Sequence, residues 1–122
     1  MIICLTTKGR DLDAAMDTTF GRAAFFLFVD AGEMKVVNVE ENQPSAHGAG
    51  VQAAQIVARN NANVLLTAHV GPNAYGGLAA ANVEIFTGAT GTVRQAIDAY
   101  RAGSLQQAAS ATSPGHGGGG RR

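Results

Sequence analysis

From residue 50 to residue 103 the chain alternates helical and strand-like patterning, and this constrains the fold more than any other feature. Val51, Ala54, Gln55, Val57 and Ala58 follow helical spacing, with Asn60 and Asn61 as the stop. Asn63 to Ala68 is then a short apolar strand, and Pro72, suited to the first helical position, opens a helix to Ala81. Val83 to Thr87 forms the next strand, and Val93 to Ala102 a third helix ended by Gly103. Strands joined through helices in this way run parallel in one sheet, with right-handed crossovers.

The first half adds a different pattern. Ile2 to Thr6 is a continuous apolar run, as expected of a central strand covered on both faces. Thr7 to Thr19 is polar and reads as an irregular loop. Ala24 to Asp30 and Met34 to Glu40 are β-rich runs separated by Ala31-Gly-Glu, which marks a hairpin. The fold class is therefore α/β, a three-layer architecture with a five-stranded mixed sheet, helices on both faces and the hairpin strands at one side.

Of the 122 residues, 46% are hydrophobic and 23 are alanine, so the core should consist of small, closely packed side chains. One domain, residues 1–109, is expected. Residues 110–122 contain five glycines and no bulky apolar residue, which marks a flexible tail. Nine basic residues balance nine acidic ones, and two of the basic residues, Arg121 and Arg122, lie in the tail. A phosphate-neutralising nucleic-acid binder normally shows a basic excess, so nucleic acid is not an expected partner. No apolar stretch approaches the roughly 20 residues of a spanning helix, and no basic region precedes the first apolar run. The reading is a soluble cytoplasmic protein without a membrane partner. A single cysteine excludes an internal disulfide, a zinc ribbon and an all-cysteine iron–sulfur site. Cys4, amid apolar neighbours, reads as a core residue.

In open α/β sheets ligands bind beyond the carboxyl ends of parallel strands. Four loops should gather there: Thr7 to Asp13, His47-Gly-Ala-Gly-Val, His69-Val-Gly-Pro-Asn and Gly88-Ala-Thr-Gly-Thr. The last three open helices, and helix N-termini favour anions. Gly48, Gly50, Gly71, Gly88 and Gly91 would let backbone N–H groups approach a ligand, with Asn73, Thr90 and Thr92 beside them and Arg10 and Arg22 at the rim. The same glycines also read simply as tight turns. His47 and His69 are candidate metal ligands, although two imidazoles make an incomplete site and a loop histidine is often only a polar surface residue. His116 lies in the tail. Asp11, Asp13 and Asp17 read as turn formers, and the first strand lacks the acidic residues that metal-dependent phosphoryl transfer would need. No catalytic constellation is apparent, so an enzyme is not expected.

The segments Asp11-Leu-Asp, Phe20-Gly-Arg-Ala, Phe26-Leu-Phe-Val, Glu41-Asn, Gly48-Ala-Gly-Val-Gln-Ala-Ala-Gln, Val70-Gly-Pro-Asn-Ala, Gly88-Ala-Thr-Gly-Thr-Val-Arg-Gln-Ala and Pro114-Gly-His-Gly-Gly together resemble the dinitrogenase iron–molybdenum cofactor biosynthesis family, the NifX/NafY-type domain with a ribonuclease H-like motif. The resemblance covers nearly the whole chain and is greatest to its small single-domain branch, the orange proteins of sulfate-reducing bacteria. It implies non-catalytic, non-covalent binding of a metal–sulfur cluster, either a molybdenum–copper sulfide or an iron–molybdenum cofactor precursor. Members of the family often have Gly-Asn where this chain has Ala68-His69. Val51, Val70, Phe20 or Tyr75 would wall such a cluster from water. The alternative is a protein-interaction module in which cluster binding is incidental.

Overall fold

The computed structural model describes residues 1–42 and 49–108. Strands β1 (Ile2–Thr7), β2 (Phe25–Asp30), β3 (Lys35–Glu41), β4 (Val64–Leu66), β5 (Glu84–Thr87) and β6 (Gln106–Gln107) alternate in the second half with helices α1 (Ala49–Arg59), α2 (Pro72–Ala80) and α3 (Val93–Arg101). The sheet order is β3-β2-β1-β4-β5-β6, with β1, β4 and β5 parallel and β2, β3 and β6 antiparallel to their neighbours. The sheet thus has six strands rather than five. The sixth is a polar pair, Gln106–Gln107, held by its pairing to Phe86 and Thr87, and it carries no hydrophobic periodicity that a sequence reading could detect.

Period-two alternation divides the sheet into two apolar faces. Cys4, Phe26, Phe28, Leu65 and Ile85 pack with Ala53, Ala54 and Val57 of α1 and Ala74 and Leu78 of α2. Ile3, Leu5, Leu27, Val29, Val64 and Leu66 pack on the other face with Val93, Ala96 and Ile97 of α3. Helices therefore cover both faces, as the alternation of elements implied.

Several boundaries follow from local chemistry. Asn61 after α1 and Gly103 after α3 take left-handed conformations, φ 60° and 76°, as residues that stop helices do. In the hairpin, Asp30 Oδ1 accepts hydrogen bonds from the Gly32 and Glu33 amides, an Asx turn. Helices α1 and α2 approach closely because Gly77 meets Ala54: a Cβ on Gly77 would lie 3.1 Å from the Ala54 Cβ.

Candidate functional site at the carboxyl end of the parallel strands

The loop after β1 is less irregular than its composition suggests. Its residues 14–19 cross the carboxyl edge of the sheet as a strap, with bridges Thr7 to Met16, Ala15 to Thr92 and Thr19 to His69. The Met16 amide donates to the Gly91 carbonyl and the Asp17 amide to the Thr6 carbonyl, each at 2.8 Å. Beneath the strap, the hydroxyls of Thr6 and Thr67 meet at 2.9 Å, fully buried, and join β1 to the residue after β4. Gly88 N–H donates to the Ala68 carbonyl, so the β5–α3 loop lies against the β4–α2 loop. The loops expected to converge at this edge do so where they are described.

Two helix starts meet on one face. A Cβ on Gly50, in the first turn of α1, would lie 3.3 Å from the Ala74 Cβ and 3.4 Å from the Ala74 nitrogen in the first turn of α2. A Cβ on Gly21 would lie 3.2 Å from the Gly50 nitrogen, so the loop carrying the exposed Arg22 rests on the start of α1. Asn42 fixes that loop by donating from Nδ2 to the carbonyls of Gly21 and Ala23. Gly71 is the N-cap of α2, with extended backbone and no side-chain capping bond. Pro72 has no N–H, and the amides of Asn73 and Ala74 have no hydrogen-bond partner among the described residues. Asn73 and His69 are exposed, and Gly50 and Gly71 are half-buried.

The start of α3 differs, and this corrects the expectation that three free helix ends converge. Its amides are already taken: Val93 N–H donates to the Ala14 carbonyl, Arg94 N–H to the Leu12 carbonyl, and Gln95 N–H to Thr92 Oγ1. The Gln95 side chain returns a bond to the Thr92 amide, completing a capping box. Gly88 and Gly91 take φ of 85° and 81°, so a turn requirement accounts for both. Thr90 and Gly91 are exposed, and Thr92 spends its hydroxyl on the cap.

Arg10 is also placed differently. Its guanidinium lies 4.7 Å from the ring centroid of Phe25, which by alternation with Leu27 and Val29 points to the α3 face, away from the α1 and α2 starts. Phe20 and Val70, expected as apolar walls, are 2% and 1% exposed and belong to the core under α1 and α2; Val51 is exposed and Tyr75 half-buried. Cys4 is fully buried, and burial, with a smaller contribution from the Glu40 charge, pushes its thiol pKa well up. It stays a protonated core residue. His47, Gly48 and His116 lie outside the described residues. No group of three or more His, Cys, Asp or Glu side chains poised for a metal ion occurs among the described residues. No described helix is long and apolar enough to cross a membrane. Of the residues at this edge, Thr6 and Thr67 have no signal in the sequence, and Gly21 and Asn42 stand there only within the segments that carry the family resemblance, without a role of their own. Their roles arise from contacts with segments distant along the chain, which leave no local pattern.

The family model described as dinitrogenase iron-molybdenum cofactor matches residues 1–103. The apo form of the orange protein from Desulfovibrio gigas superposes with a TM-score of 0.86 at 40% identity, covering 92% of this chain and 96% of that one. A NifB-type protein from Thermotoga, of the DUF35 family, gives 0.80 at 32% identity, covering 93% and 98%. A dinitrogenase-type protein from Methanocaldococcus jannaschii, at 15% identity and a TM-score of 0.65 over 90% and 96%, shares the fold. No curated protein matches the chain.

Proposed function

This chain belongs to the dinitrogenase iron–molybdenum cofactor family, and on that footing we propose that it binds and carries an anionic molybdenum-containing metal–sulfur cluster without catalysing a reaction. The observation that carries this reading is the pair of apposed helix starts. The unpartnered amide of the exposed Asn73, with that of the buried Ala74 behind it against Gly50 and the first turn of α1 alongside, gives a positive helix end that needs no net charge. A sulfide cluster is a soft, multiply charged anion whose sulfurs accept such hydrogen bonds. With its lone thiol buried and protonated, the protein offers no thiolate from Cys4, so the cluster brings its own sulfur.

The proposed contacts on this face are Gly50, His69, Gly71 and Asn73, with Arg22 at the rim and His47 and Gly48 from the segment before α1. His69 and His47 are the proposed metal ligands. Gly88, Thr90, Gly91 and Thr92 border the same edge, and Arg10 would reach it only by leaving Phe25. The proposed cargo is the molybdenum–copper sulfide that the sequence resemblance to the orange-protein branch implies, and an iron–molybdenum precursor, the cofactor in the family's own description, is the alternative. We also read strands β3-β2-β1-β4-β5 as a ribonuclease H-like motif adapted to binding, since β1, Ile2–Thr7, has no carboxylate to hold catalytic metal ions. The domain of residues 1–109 would act in the cytoplasm.

Anaerobic reconstitution with tetrathiomolybdate and copper tests the proposal. A stoichiometric complex absorbing in the visible and surviving gel filtration is expected. Recovery of colourless protein would refute it.

A further inference from the structure

Strand β3 is the terminal strand of the sheet, and its two halves differ. Register with β2 shifts between Phe28 and Val29, so a bulge interrupts the Val36–Asn38 half. Beyond it the ladder is regular, pairing Leu27 with Val39, Phe26 with Glu40 and Phe25 with Glu41, and the Asn42 amide donates to the Ala24 carbonyl at 3.0 Å. That last bond makes Asn42–Ala24, and by alternation Glu40–Phe26, the hydrogen-bonded pairs. Val39 and Glu41 therefore turn their N–H and C=O groups outward, to the free edge.

Beside this half-strand lies a cleft of about 330 Å³ between the end of β3 and α1, lined by Glu41, Asn42, Gln52, Gln55, Ile56 and Arg59. Its charges are unequal. Arg59 is 2.5 Å from Glu40, and Asn60 donates to the other oxygen of the same carboxylate. Glu41, exposed, has no ion-pair or hydrogen-bond partner for its carboxylate among the described residues. The cleft thus presents an outward backbone edge, side-chain amides and one apolar contact at Ile56, while the Glu41 carboxylate, alternating with the α1-facing Glu40, stands on the other side of the same edge, on the α3 face with its partner Phe25. An edge strand flanked by a helix is the arrangement in which extended peptides dock by strand addition.

We propose that the Val39–Asn42 edge and the cleft under α1 form a docking site for an extended, basic segment of a partner protein, which pairs with Val39 and Glu41, turns alternate side chains into the cleft, and places a lysine or arginine on the opposite face against the Glu41 carboxylate. The site stands on β3 and the outer face of α1, and does not depend on cluster binding. Its occupancy sets a partner beside the helix whose first turn meets Ala74, which suits delivery or receipt of a cargo.

The test titrates isotope-labelled full-length protein with two capped pentapeptides, Thr-Val-Arg-Val-Thr and Thr-Val-Glu-Val-Thr, to about 1 mM each, a range that detects weak strand addition. The arginine peptide should move the amide signals of Val39, Glu41, Gln52 and Gln55 and bind roughly ten-fold tighter than the glutamate peptide, a difference of one favourable charge contact. Glu41→Lys should reverse that preference. Glu41→Pro, which removes an outward N–H that an edge strand can spare, should abolish binding of both peptides while the Phe26 amide keeps its exchange protection. If that variant does not fold, the Glu41→Lys reversal decides. Unmoved Val39 and Glu41 signals, or equal affinity for both peptides in both proteins, would overturn the proposal. So would protein-concentration-dependent shifts at Val39 without peptide, since they would assign the edge to a second copy of this chain.

Discussion

Gly50 and Ala74 touch through the space that a side chain on Gly50 would fill: an added Cβ would stand 3.3 Å from the Ala74 Cβ. This contact sets the separation of the α1 and α2 starts, and with it whether one anion can be reached from both. Gly50→Val should force them apart, destabilising the fold by about 1–3 kcal/mol as over-packed contacts do. It should also weaken tetrathiomolybdate–copper loading several-fold. Urea denaturation and loading stoichiometry measure the two effects separately, and unchanged loading in a folded Gly50→Val protein would separate the helix contact from the site.

The buried Thr6–Thr67 pair makes a prediction with an internal control. Thr6→Val leaves the Thr67 hydroxyl buried without this partner, at a cost of about 1–3 kcal/mol. The double variant Thr6→Val, Thr67→Val should recover part of that loss, because both ends of the bond are then apolar. A double-mutant cycle from chemical denaturation gives the coupling energy, and additive losses would show that the hydroxyls act independently.

Capping and binding should come apart at Thr92. Thr92→Ala removes the side-chain cap of α3 and should cost about 0.5–2 kcal/mol. It should leave cluster loading unchanged, because the amides of Val93 and Arg94 remain on the Ala14 and Leu12 carbonyls. His69→Ala should do the reverse, lowering copper-dependent loading with little effect on stability, since the side chain is exposed. Thermal melts and metal analysis on the same samples distinguish the two.

Glu40 gives a pH dependence. Burial acts to raise its pKa, but hydrogen bonds from Asn60 and Arg59 and the Arg59 charge outweigh it, holding the carboxyl below its ordinary value. A depressed folded-state pKa contributes stability above the unfolded value and loses it as pH falls through the folded one. Arg59 is 63% exposed, so the contribution is at most about 1 kcal/mol. Melting temperatures from pH 7 to pH 3 should fall more steeply for the native chain than for Glu40→Gln, and parallel curves would remove Glu40 from the acid limb.

Much of the architecture was legible because it is written locally. The apolar run from Ile2, the Gly-containing break at residues 31–33 and Pro72 each impose their element within a few residues, and the observed strands and helices fall within one or two positions of those expectations. Strand β6 was not legible, since two glutamines become a strand only when β5 offers them an edge. The glycines were visible but ambiguous. Gly50 serves contact between helices, Gly88 and Gly91 serve turns, and nothing in the neighbouring residues separates these uses.

The sequence by itself determined the order and kind of the elements from β1 to α3, the family, and that Cys4 would be core, because periodicity and composition act over short stretches of chain. Only the tertiary structure decided which helix starts stay open. The carbonyls of Leu12 and Ala14, some 80 residues upstream, occupy the amides of α3, while those of Asn73 and Ala74 find no such partner among the described residues. A backbone amide is identical in every loop until distant segments are packed against it, so availability for a ligand is a property of the fold rather than of the local sequence.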